Sequence, residues 1–153
     1  MLIKLIKKET QMILAFYKGF NKKTSFLDLC ISCLTFSKYS RVNMVFEDGA
    51  SIFSGERLIM LNHKKVYNKD EWYFVSLPMS KESELKVYYR AIKHTGKRKS
   101  LLGLFLSVLS IKIKDDLNYD SEIVANSLFL KNGVYTPKKI YKLFSYDSIH
   151  EIK

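Results

Sequence analysis

The chain has 153 residues, 47% of them hydrophobic, and a formal net charge of +11. That length suits one ordinary domain, and a chain this size buries roughly two-thirds of its surface on folding, so no disulfide or metal staple is required. Six Gly and two Pro argue against long disordered linkers, and no uncharged apolar run reaches the roughly 18 residues of a membrane span.

Residues 1–11 (MLIKLIKKETQ) alternate Leu and Ile with Lys and read as an amphipathic basic leader before a single domain over 12–153. The start lacks the apolar stretch and small-residue cleavage site of a signal peptide, so secretion by that route is not expected. Met12–Tyr17 suits a buried strand, and Gly19 breaks it. Thr24 or Ser25 can cap a helix over Phe26–Phe36, with Asp28 in its first turn facing the positive end of the dipole. Within that run Cys30 and Cys33 form a C-x-x-C. No second pair supplies further metal ligands, so the thiols are expected to be buried small hydrophobes in a reducing compartment.

Ser40–Phe46 has apolar residues at 42, 44 and 46, the period of a half-buried strand. Asp48-Gly49 supplies a tight turn, and Ala50–Phe53 and Arg57–Leu61 continue an antiparallel meander. Residues 62–71 read as a polar loop. Trp72–Leu77 is a strand that Pro78 is expected to end. Ser80 caps a helix to about His94, stopped by Gly96. Leu101–Leu109 and Asn118–Leu130 read as buried helices, the second ended by Gly133, and Thr136-Pro137 opens the last helix. Grouped strands followed by grouped helices predict an α+β fold.

The basic residues fall in short clusters, such as Lys22–Lys23, Lys64–Lys65 and Lys97–Arg98–Lys99, not in one block. A Lys-rich solvated surface is favoured over a nucleic-acid face, because the ten Tyr and ten Phe lie mostly in apolar runs. No metalloprotease, phosphate-loop, nucleophile-elbow or dinucleotide motif is present. His63, His94 and His150 fall in loops or at ends, without metal-ligand spacing. No cofactor or metal is expected.

Several segments, read in order, resemble the permuted papain-like hydrolases of the NlpC type (YiiX-like) and their phage-encoded relatives. Met12–Gly19 resembles their opening strand. Tyr39-Ser40-Arg41-Val42, followed by Asp48-Gly49, resembles the Tyr-Ser-His-Val strand that carries their catalytic base. Trp72–Pro78 resembles their tryptophan strand ending in Leu-Pro, and Gly96–Gly103 partly resembles their glycine-lysine segment. Tyr119-Asp120-Ser121-Glu122 stands where the family has Phe-Cys-Ser-Glu at a helix N-terminus, and Thr136-Pro137 resembles the closing motif.

The resemblance covers about residues 12–145 and implies a papain-like antiparallel sheet, or partial barrel, packed against helices. It also implies that the positions of the base and nucleophile are Arg41 and Asp120, with Asn43, Ser121 and Glu122 as neighbours. A carboxylate is no thiolate, and a guanidinium stays protonated and cannot accept a proton. The expectation is therefore an inactive, non-catalytic module, with Arg41 and Asp120 converted into an ion pair. A structural or binding role with protein partners, in a phage setting virion proteins, or with a second copy of the chain, follows by analogy, as does a place in the host cytoplasm or the assembled virion. The alternatives are a cysteine-type amidohydrolase or peptidase using relocated residues (Ser121, Asn43, His94 and Cys30 or Cys33) and a basic nucleic-acid-binding protein.

Overall fold

A computed structural model of the protein describes residues 10–54, 58–63, 65–97, 120–131 and 133–150. Their elements run β1 (Thr10–Lys18), α1 (Phe26–Leu34), β2 (Tyr39–Val45), β3 (Ser51–Ser54), β4 (Ile59–Asn62), β5 (Trp72–Met79), α2 (Lys81–Ile92), α3 (Asp120–Ser127) and α4 (Pro137–His150). The fold is α+β. The strands form one antiparallel sheet in the order β4-β3-β2-β1-β5. β1 lies inside the sheet between β2 and β5 and is buried on both faces, with Met12, Leu14 and Phe16 on one and Ala15 and Tyr17 on the other.

Antiparallel register places Val75, Leu14, Met44, Ile52 and Leu61 in one row across all five strands. Val87 and Ala91 of α2, Ile123 and Val124 of α3 and Ile140 of α4 close over that face. Each buried Val or Ile among them contributes about 1.5–3 kcal/mol. Phe16, Tyr39, Tyr73 and Tyr141 pack ring against ring where α4 crosses the sheet, with centroids 4.7–6.0 Å apart.

The meander of β2, β3 and β4 is as expected, and Gly49 adopts φ +82° in its first turn. Pro78 does not end β5, which runs on to Met79 with Pro78 opposite Gln11. β5 is an edge strand, where the missing N–H leaves no ladder bond broken. Thr10 and Gln11, assigned to the leader, begin β1. The rest of that leader, the Leu101–Leu109 helix and most of Gly96–Gly103 lie outside the described residues.

Two helices end at a left-handed phenylalanine, where glycine would be the unstrained residue. Phe36 (φ 47°) follows α1, with Ser37 N donating to Ser32 O at 2.9 Å. Phe129 (φ 59°) ends the α3 segment, with Leu130 N donating to Ala125 O at 3.0 Å, so the helix stops before Gly133. No helix among the described residues is long and apolar enough to cross a membrane.

Candidate functional site

Asp28 is the centre of the polar cluster. Ser25 caps α1, its hydroxyl accepting from Asp28 N at 3.2 Å and donating to Oδ2 at 2.5 Å. Arg41 of β2 donates Nε to Oδ1 and an Nη to Oδ2, both at 2.6 Å, a bidentate pair. Ser40 Oγ adds a bond to Oδ1 at 3.0 Å. Consecutive strand residues ordinarily point to opposite faces. Ser40 and Arg41 both reach one carboxylate because the β1–β2 register slips between Tyr17 and Lys18, a bulge that re-aims the chain.

Four donors thus saturate a carboxylate only 1% exposed. Burial alone would raise the Asp28 pKa, but the Arg41 and Ser25 hydrogen bonds, the Arg41 charge and Ser40 outweigh it and hold the group below its ordinary 3.8. Burial disfavours the Arg41 cation in the same way. The Asp28 bonds and charge, joined by the charge of Asp120, raise its pKa instead.

Tyr17 stands beside Arg41 in register, with Trp72 beyond it in the same row, and the Arg41 guanidinium is 5.7 Å from the Tyr17 ring centre. Asn43, next along β2, donates to Tyr67 Oη at 3.4 Å. Tyr67 and Trp72 meet edge to face at 4.9 Å. Lys65 Nζ enters this aromatic group, 3.3 Å from the Phe53 ring centre, 5.2 Å from Tyr67 and 5.4 Å from Trp72. Burial lowers its pKa to about 8; Asp120 opposes the shift and Arg41 reinforces it.

Asp120 opens α3, 7% exposed, and α3 packs on β2. The carboxylate lines a gap with Val42, Met44, Ile52, Phe53, Ile123 and Val124 that is too small for a water molecule. Ser121 is buried and donates to Tyr135 O at 2.5 Å, holding the entry to α4, and half-buried Glu122 follows it. The strand of Arg41 and the helix of Asp120 are therefore neighbours, as expected. The carboxylate that Arg41 grips is Asp28 of α1, however, while Asp120 acts on Arg41 through its charge.

Cys30 is half-buried and Cys33 exposed, contrary to expectation, because α1 turns its apolar face outward. His63 is exposed after β4, and His94 is half-buried after α2. Neither lies in the Asp28 cluster, and no group of three His, Cys, Asp or Glu among the described residues could hold a metal. The sequence reading missed Asp28 as an anchor and Lys65 as a caged cation. The spacing Ser25-x-x-Asp28 was the available signal for the first, whereas a polar loop hid the second. No protein-family model, characterised protein or solved structure matches the chain.

Proposed function

We propose that the chain is a non-catalytic papain-like module of the NlpC type that serves a structural or binding role, in a phage setting as a virion component. The reading rests on the segment order given above and on β2 and α3 being packed together. One observation carries it: the guanidinium of Arg41, at the position of the family's base, is committed to Asp28 by two 2.6 Å bonds. A cation so held neither takes a proton nor moves toward a substrate. The gap beside Asp120 is lined by aliphatic and aromatic side chains and is too narrow to admit a water molecule.

The test pairs stability with activity. Arg41→Ala should lower Tm by about 10 °C, as breaking a buried pair costs roughly 3–5 kcal/mol. The wild-type chain should hydrolyse neither cell-wall peptides nor model amides. Turnover that Arg41→Ala abolishes at unchanged Tm would make Arg41 a catalytic group and overturn the reading. So would rapid labelling of Cys30 or Cys33 by a thiol-directed probe at neutral pH, the mark of an activated thiolate.

A further inference from the structure

The α1 helix is amphipathic in the wrong sense for a buried element. The residues it turns inward are Asp28, Ile31 and Ser32. On the opposite face, at spacings of three and four, stand Phe26, Leu29, Cys30, Cys33 and Leu34. Phe26 is 82% exposed, and Leu29 and Leu34 are 41% and 48% exposed. Phe20, in the loop before the helix, lines a shallow groove of about 480 Å³ with Lys22, Phe26 and Leu29.

Phe36 extends the same surface past the helix end at 87% exposure and in a left-handed conformation. Phe129 has comparable strain, but Arg90 stacks 3.6 Å from its ring centre. The Phe36 ring carries the strain with little burial among the described residues. Lys138 reinforces the position by donating to Thr35 O and Phe36 O at 3.3 and 2.9 Å.

The charge around this face is mostly positive, with Glu71 paired to Lys23 at 2.9 Å as the acidic exception. Residues 18–38 contain four lysines and one acidic residue, Asp28, which is buried beneath the helix and paired with Arg41. Lys22 precedes α1 and Lys38 follows it, both exposed. Phenylalanine and leucine side chains offer nothing to a hydrogen-bonding partner, whereas a lysine rim attracts anionic headgroups.

We infer that the outward face of α1, with Phe20, Phe26, Leu29 and Phe36 as the inserting side chains and Lys22 and Lys38 as the rim, docks on an anionic lipid surface. The helix would lie in the plane of the interface, its apolar side chains among the upper acyl chains. This inference is independent of the papain-like reading and uses none of the Asp28 cluster except as the anchor of the helix.

The test is sedimentation of the full chain with vesicles of phosphatidylcholine and phosphatidylserine, about 2:1, against vesicles of phosphatidylcholine alone. The wild type should pellet with the anionic vesicles and lose most binding at high salt. Phe36→Gly should bind at least about tenfold more weakly while raising Tm by about 2–4 °C, because it removes strain and no core contact. Phe26→Ser should weaken binding at unchanged Tm, and Lys22→Gln/Lys38→Gln should cut it several-fold. Failure to pellet with anionic vesicles, equal pelleting with neutral ones, or binding that survives Phe26→Ser/Phe36→Ser would overturn the inference. Light scattering that shows a wild-type dimer separated by Phe36→Gly would also overturn it, by assigning the face to a second copy.

Discussion

Arg41 and Lys65 are two half-buried cations that both feel Asp120, yet the protein treats them oppositely. Arg41 meets a carboxylate in matched bidentate geometry, and its charge is held more firmly than in water. Lys65 meets three aromatic rings, and its pKa falls to about 8. Ring faces offset part of the lost hydration of an ammonium, but they supply neither a full negative charge nor a hydrogen-bond acceptor. Burial alone therefore does not decide the state of a buried cation; the partner does.

The largest effect should come from removing Arg41. Besides the loss of about 3–5 kcal/mol expected for Arg41→Ala, Asp28→Asn should cost less, because Arg41 is 31% exposed and can regain water. The double variant Arg41→Met/Asp28→Leu should recover much of the loss, since no orphaned charge remains. A double-mutant cycle in urea measures the coupling, and additive single costs would show that the two groups do not act as a pair.

The pH dependence separates the two cations. Asp28 has its pKa depressed on folding, so the stability it contributes is present above about pH 4 and is lost as pH falls through the folded value. The Tm gap between wild type and Asp28→Asn should therefore be widest near neutrality and narrow in acid. For Lys65 the depressed pKa has the other consequence. The protonated amine costs stability below pH 8, and that cost fades as pH rises from about 8 toward 10.5. Lys65→Met should accordingly be neutral or stabilising at pH 7, by up to a few °C, with the difference gone near pH 10.5. A clear fall in Tm for Lys65→Met at pH 7 would mean that the rings stabilise the cation outright.

A smaller loss should follow Gly19→Ala, because a Cβ there would lie 1.7 Å from Ser32 Oγ and 2.8 Å from Ser32 Cβ, both on the inner face of α1. Pushing α1 from the sheet strains the Asp28 anchor, at about 1–3 kcal/mol. Ser32→Gly in the same chain should restore part of it. The smallest effect belongs to Lys86→Ala on α2. Its pair with Glu82 is exposed, and such pairs contribute about 0.3–0.5 kcal/mol.

The chain order of strands and helices was readable because it depends on local patterns. Alternation at Val42, Met44 and Phe46, the Ser25 and Ser80 caps, the Asp48-Gly49 turn and the Thr136-Pro137 start each act within a few residues. Pro78 misled because its effect depends on whether the strand is central or at the edge, which only the sheet order settles. The cysteines differ from expectation because an apolar run does not show by itself which of its faces is covered. The inward face of α1 carries Asp28, which pairs with Arg41 across 13 residues, a contact that no local pattern in the sequence announces.

By itself the sequence determined an α+β chain and its main strand and helix starts. The tertiary structure alone decided which carboxylate Arg41 holds, which rings surround Lys65 and which face of α1 remains open. The physical reason is range. Caps, turns and alternation are settled between neighbours in the chain, whereas a charge pair or an aromatic cage is chosen by whichever groups folding brings within a few ångströms.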